Sequence, residues 1–244
     1  MKLKKIILYT LIGIVVFLFL FYNLYTPKIY KFKGKSDKTI FIVGSVHGNE
    51  PSGTKACYRL INYYRNNKPE NNLIIMPQPN PLGLYVGSRY QLKPFNRDLN
   101  RNFNDVGKDR ISKIILKYVN KADLIIDTHE GYEFNVRYPK SMGSSIIPNK
   151  SKLSKTISKD ILYSVNKTIK DKDKKFVVSD FYSREDCYLP DSLGCYSNKN
   201  NKNYISLETT GLMMNKQPLN IRVNQHYILL REITEFKINI YIYK

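Results

Sequence analysis

Short apolar runs recur along this chain, each stopped by turn-forming or polar residues. They are "TIFIVG" at 39–44, "NLIIMPQPNP" at 72–81, "ADLIIDTHEG" at 122–131, "KFVVS" at 175–179 and "YISLE" at 204–208. A strand with one face in water alternates apolar and polar residues, whereas a strand covered on both faces reads as a continuous apolar run. Stretches with helical spacing separate the runs. In "SGTKACYRLINYYRNN" the positions are Ala56, Leu60 and Tyr63; in "GKDRISKIILKYVNK" they are Ile111, Ile114, Ile115 and Tyr118. "KLSKTISKDILYSVNKTIK" and "PLNIRVNQHYILLREITEF" read as two further helices, the second with Pro218 in its first turn. Residues 82–106 carry little periodicity and predict a long loop, and "KINIYIYK" at the end alternates like an edge strand. The expectation is a single α/β domain over residues 39–244, with a largely parallel (mixed) sheet flanked by helices.

Residues 1–26 have a different character. From Ile6 to Tyr25 there is no charge, and twenty helical residues reach about 30 Å, the thickness of a bilayer's hydrocarbon core. The run ends in Phe-Tyr-Asn-Leu-Tyr, which suits a membrane interface better than a cleavage site. One transmembrane helix acting as an uncleaved membrane anchor through residues 6–25 is expected, with residues 27–38 as linker. Lys2, Lys4 and Lys5 argue for an N-terminus on the cytoplasmic side, and Lys28, Lys31, Lys33 and Lys35 argue the reverse. The balance taken here is a domain outside the cytoplasm.

The formal charge of +20 attracts anions of any kind. Lys, Asn, Ile and Tyr are abundant together while Trp is absent, the composition that A/T-rich coding produces. The basic residues are dispersed without a nucleic-acid motif, so no nucleic-acid partner is expected. Of three cysteines, Cys57 falls in a predicted helix as a small buried hydrophobe. Cys187 and Cys195 flank a turn-rich segment, where an oxidising compartment would let them pair.

Polar motifs stand at the carboxyl ends of the apolar runs, where open α/β sheets place their sites. His47 and Glu50 follow the first run, His129 ends another and Glu208 ends a third. Imidazole and carboxylate are common zinc donors, and a catalytic zinc needs three such ligands. The chain has three histidines; His226 sits inside the closing helix and reads as structural.

Six stretches in order, "VGSVHGNEPSG", "NPLGLYVGSR", "DLNRNF", "DLIIDTHEG", "SMGSS" and "ISLETTG", span residues 43–211. In this order they resemble the zinc carboxypeptidase superfamily, and within it the succinylglutamate desuccinylase/aspartoacylase branch. The resemblance implies a zinc carboxypeptidase-like fold and one Zn2+ per chain, held by His47, Glu50 and His129. It implies that Glu208 is the catalytic glutamate, and that Asn100 and Arg101 hold a substrate carboxylate through the guanidinium's planar fork. Arg89 stands near the place of the arginine that stabilises the tetrahedral oxyanion, with Arg97 as competitor. Asp127 is either an orienting carboxylate for His129 or a turn cap, and Glu130 a solvated or capping carboxylate. Tyr182 and Tyr132 are the candidates for a substrate-capping tyrosine.

The implied function is a membrane-anchored zinc hydrolase that cleaves an amide next to a free carboxylate, in a peptide or wall peptide. A deacylase of N-acyl amino acids is the second reading. A non-catalytic binding module on the same fold is the third. The short segment after Glu208 leaves no room for the further β-rich domain that the aspartoacylase branch often carries, which weighs against the small acyl-amino-acid substrates.

Overall fold

The computed structural model describes residues 2–92, 97–104, 106–182, 188–213 and 215–238, with no account of side chains at residues 3 and 17–25. In chain order the helices are α1 (Lys2–Tyr25), α2 (Pro51–Tyr64), α3 (Pro81–Val86), α4 (Arg110–Val119), α5 (Lys152–Lys167), α6 (Leu193–Lys199) and α7 (Leu219–Glu235). The strands are β1 (Tyr30–Phe32), β2 (Thr39–Val43), β3 (Asn72–Met76), β4 (Leu124–Tyr132), β5 (Ser145–Pro148), β6 (Val177–Val178) and β7 (Tyr204–Leu212).

Among the described residues these strands form one sheet in the order β1-β3-β2-β4-β7-β5-β6. The central four, β3, β2, β4 and β7, are parallel, while β1 and β5 pair antiparallel with β3 and β7. The sheet is therefore mixed with a parallel centre. Strand residues alternate between two apolar layers. Ile40 and Ile42 pack with α2, α5 and α7 residues such as Leu60, Ile161 and Leu230. Phe41 and Val43 pack on the other side with Ile115 and Leu116 of α4 and Tyr196 of α6. Burial on both faces is the reason these strands read as unbroken apolar runs.

The structure differs from the sequence expectation in several places. Residues 30–32, assigned to the linker, pair as an edge strand with β3. The segment expected as one long loop contains α3, held by Asn80, whose side chain accepts from Gly83 N at 3.1 Å, and closed by Gly87 in the left-handed region at φ 67°. It also contains a single 3-10 turn at Leu99–Arg101, capped by Asp98. Strand β5 and helix α6 carry too few periodic residues to announce themselves. The expected terminal edge strand falls, from residue 239 on, outside the described residues. Cys57 is buried and free. Cys195 is disulfide-bonded, and Cys187 lies outside the described residues. Among the described residues no helix is long and apolar enough to cross a membrane.

Candidate metal centre and active site

The chain crosses from β2 through α2 to β3 on one side, then places β4 on the other side of β2. The carboxyl ends of β2 and β4 therefore flank a crevice where strand order reverses, the usual site in open α/β sheets. Residues 44–50 leave β2 into this crevice. Gly48 packs against the backbone of Gly83 so closely that a Cβ there would overlap it, so the loop needs glycine at this position to stay folded down. Glu50 ends the loop as the residue before α2, with Pro51 opening the helix. On the facing strands, His129 and Glu208 are direct partners in the β4–β7 register.

His47, Glu50 and His129 are buried and meet, with one donor atom from each lying within 4.8 Å of the others. Both imidazoles present Nδ1 to the Glu50 carboxylate, His47 at 2.8 Å from Oε1 and His129 at 3.1 Å from Oε2. Both turn Nε2 to an aspartate: His47 to Asp98 Oδ1 at 2.9 Å, His129 to Asp127 Oδ2 at 3.0 Å. The Tyr204 hydroxyl donates to the same Asp127 oxygen at 3.2 Å. An aspartate that accepts from Nε2–H fixes the tautomer and leaves the Nδ1 lone pair aimed inward. Asp127 thus orients His129 in this structure.

The charges respond accordingly. Burial opposes a charge on His47, but Glu50 and Asp98 outweigh it and hold the imidazole above its usual pKa. For His129 burial is again opposed, by Asp127 and Glu50, and the ring is raised well above it. Glu50, despite burial, is held well below the usual carboxylate range by the two histidines.

This donor set fits a metal ion. Nδ1 of His47 is buried without a hydrogen bond of proper geometry, although it touches Glu50. Two imidazole nitrogens, neutral once a metal displaces their protons, and a carboxylate converge on one point, backed by two further carboxylates, and match the ligands of a catalytic divalent site.

A cavity of about 190 Å³ opens over the cluster. His47, Glu50, Arg89, Asn100, Arg101, His129 and Glu208 all line it. Glu208 is buried, and burial, with Glu50 and Asp127 nearby, pushes its carboxyl up to about 8 against the opposing pull of His129. Arg89 donates from Nη1 to Glu50 Oε1 at 3.1 Å and from Nε to Asp98 Oδ2 at 3.2 Å. Arg101 reaches the cavity with Nη1 donating to the Asn100 carbonyl at 2.6 Å. Asn100 Oδ1 accepts from Leu193 N at 2.9 Å, which ties this turn to the start of α6. Arg97 differs: its side chain is exposed and does not line the cavity. The two candidate tyrosines also line the cavity. Tyr132 is partly exposed at the rim. Tyr182 is buried, its ring edge-on to Tyr204 at 5.5 Å.

Two features escape the sequence reading. Asp98, in the stretch "DLNRNF", is the partner of both His47 and Arg89; its place two residues before Asn100 was the available signal. Of the two readings of Glu130 the structure shows the capping one, at the first turn of α2, with Arg222 as the unforeseen partner. Glu130 is 2% exposed, accepts from Ser52 N at 2.7 Å and is paired with Arg222, itself buried. No local signal marks Arg222, which lies 92 residues away.

Comparison with known proteins gives the same frame. Residues 36–134 match the family described as Succinylglutamate desuccinylase/Aspartoacylase catalytic domain. Over this segment, under half of the chain, the protein is similar to that family. Among solved structures, apo cell shape determinant protein Csd4 from Helicobacter pylori superposes with a TM-score of 0.69 at 14% identity, covering 85% of this chain and 54% of that one. The mDAP-bound form of Csd4, described as a D,L-carboxypeptidase, gives 0.66 at 15% identity, over 84% of this chain and 53% of its own. A succinylglutamate desuccinylase/aspartoacylase from Rhodobacter sphaeroides gives 0.55 at 17%, over 85% of this chain and 57% of that one. This chain thus spans about half the length of these structures. At such identity the likeness establishes the fold. No curated protein sequence matches the chain.

Proposed function

We propose that this protein is a zinc-dependent, carboxypeptidase-like hydrolase that cleaves the amide bond next to a free carboxylate in a peptide. The observation that carries this reading is one cavity holding the buried His47–Glu50–His129 set, the buried carboxylate of Glu208, and Arg89 and Arg101. His47 and His129 through Nδ1, with Glu50, would hold the zinc ion. Zinc bound there supplies Lewis-acid chemistry, making water acidic and polarising a carbonyl. Asp98 and Asp127 keep the two imidazoles in the ligating tautomer. Glu208 takes the proton of the attacking water and hands it to the leaving amine, a task for a carboxylate whose pKa burial has raised towards neutrality. Arg101 receives the substrate's terminal carboxylate, with Asn100 fixing the turn that presents it. Arg89, fixed by Asp98, offers positive charge where the carbonyl oxygen becomes anionic.

The peptide substrate is favoured by the Csd4 structures, one described as tripeptide-bound and one as mDAP-bound. The match of residues 36–134 favours the second reading, a deacylase of N-acyl amino acids. Membrane attachment through residues 6–25 belongs to the same proposal. It rests on their uncharged sequence and on the exposed apolar side chains of Ile6, Leu8, Leu11 and Val15 in α1. The catalytic domain would then lie outside the cytoplasm.

The test is hydrolysis by the purified zinc-loaded chain of short peptides, wall tripeptides among them, with free and with amidated C-termini, beside N-acyl amino acids. Release of the last residue from free-carboxylate peptides alone is expected. Turnover confined to acyl amino acids would transfer the assignment to the deacylase. A chain that takes up no zinc at neutral pH would overturn both in favour of a binding module.

A further inference from the structure

Helix α7 packs behind the metal centre, and two of its side chains, Arg222 and His226, are buried four residues apart on one face. His226 Nε2 lies 3.2 Å from the carbonyl of Leu207, the residue before Glu208. A carbonyl only accepts, so Nε2 carries the proton. Burial and the nearby cations pull this imidazole down to about 4, so the ring is neutral and Nδ1 accepts. At 3.0 Å from Nδ1 stands the hydroxyl of Ser52, which then donates to it. The Ser52 oxygen also lies 3.3 Å from the hydroxyl of Thr209, the residue after Glu208. His226 therefore holds β7 directly just before Glu208 and, through Ser52 of the first turn of α2, just after it; Ser52 stands two residues beyond Glu50.

Arg222 makes the matching connection to β4. Its Nη1 is paired with Glu130 Oε2. The other oxygen of Glu130 accepts from Ser52 N at 2.7 Å, and the backbone N–H of Glu130 donates to Glu50 Oε2 at 3.0 Å. Glu130 thus supplies the acceptor that the start of α2 lacks, because Glu50, at the N-cap position, makes no side-chain cap. On its far side Arg222 Nε donates to the Gln217 carbonyl at 2.9 Å, and Gln217 N donates to the Thr210 carbonyl of β7 at 3.0 Å. A Cβ on Gly211 would overlap the Glu130 carboxylate, so this layer has no slack.

We propose that Arg222 and His226 are positioning residues, which hold the ligand Glu50 and the carboxylate Glu208 in register through Ser52, Glu130 and the β7 backbone. The inference rests on the metallohydrolase reading, and it gives α7 a part in the site although it contributes no group to the cavity. Displacing this layer moves Glu50 relative to His129, so it alters metal geometry as well as rate.

The experiment uses the full chain and its His226→Leu, His226→Gln and Ser52→Ala variants, each loaded with Co2+ and, separately, Zn2+. Five quantities are read: the cobalt visible spectrum, zinc affinity by chelator competition, kcat, KM, and the melting temperature. His226→Leu is expected to shift the cobalt bands, to weaken zinc binding about 10- to 100-fold, and to lower kcat with KM within about twofold. His226→Gln, which keeps a donor for Leu207, is expected to recover part of each loss. Ser52→Ala should lie between them with little change in melting temperature. Wild-type spectra and zinc affinity in both His226→Leu and Ser52→Ala would overturn the positioning role, even with a lowered melting temperature. Should His226→Leu fail to fold, Ser52→Ala decides on the same criteria. A wild-type chain that takes up neither cation overturns the metallohydrolase reading itself, and this inference with it.

Discussion

Glu208 is one carboxylate held between two opposing demands. Burial favours its neutral form, while the proposed role needs it ionised. Glu208→Gln keeps the volume and removes the base, so turnover should fall by at least about 10²-fold while metal content stays at the wild-type level. A variant that still turns over would remove Glu208 from the mechanism. The same burial predicts a pH dependence of stability in the metal-free protein. A carboxyl raised to about 8 on folding keeps its proton in the folded chain after the unfolded chain has lost it. Stability therefore falls as pH climbs from the ordinary glutamate range towards 8. His47 and His129 add in the same direction, because a raised imidazole stabilises below its unfolded pKa and loses that contribution as pH rises through the folded value. His226, pulled down to about 4 by burial, works the other way below its unfolded range, so metal-free stability should change little in mild acid and fall by on the order of a few kcal/mol between about pH 6.5 and 8. Zinc must displace the protons from both imidazoles, so the rise in melting temperature on adding zinc should grow with pH. Thermal melts with and without zinc between pH 5 and 8 check both signs. Arg101→Ala should weaken kcat/KM for free-carboxylate peptides by roughly 10- to 100-fold, the worth of a charge-assisted pair. An equal loss on the amidated peptide would contradict the carboxylate role.

The elements explain which parts of the site could be read from sequence. His47 and Glu50 follow the end of β2, His129 stands near the end of β4, and Glu208 faces His129 across the β4–β7 register. An apolar run and the polar residues at its end suffice to find such positions, because strand direction in a parallel sheet carries every carboxyl end to the same edge. The partners of those residues are harder to find. His47 and Asp98 are 51 residues apart, Ser52 and His226 are 174 apart, and no periodicity links them. The 3-10 turn at Leu99–Arg101 was invisible for a related reason: its conformation comes from the Asp98 cap and the bond from Leu193 N to Asn100 rather than from an apolar face. That turn yields an element-scale prediction. Asp98 accepts from the Asn100 backbone at 2.9 Å while holding His47 and Arg89. Asp98→Asn preserves the size but loses a charge that three groups share. Zinc affinity should drop about 10- to 100-fold with the fold intact. Unchanged affinity in a chelator competition would leave Asp98 with a loop-shaping role alone.

At the scale of the whole molecule, α1 is joined to the sheet by a short segment. The helix runs to Tyr25, and the edge strand β1 begins at Tyr30. Part of the segment expected as a free linker is thus paired into the sheet. If residues 6–25 sit in a bilayer, the four residues between Tyr25 and β1 hold the domain close to the membrane surface, since an extended chain advances only about 3.3–3.6 Å per residue. Such a short tether restricts the substrates the cavity meets to those at or near that surface. Expressed whole, the protein should sediment with membranes and resist extraction by high salt, because burial of a largely apolar, uncharged run is insensitive to ionic strength whereas attraction through its +20 charge is not. Replacing Ile14 and Val15 in the middle of the run by aspartate should release it into the soluble fraction, since each charge at a bilayer's centre costs about 2.5–3.5 kcal/mol. The released protein should keep its zinc and its kcat on a short soluble peptide, because among the described residues none of α1 lines the cavity. Release of the wild-type chain by salt alone would mean that charge rather than insertion holds it at the surface, and the close-tether argument would fall with the anchor.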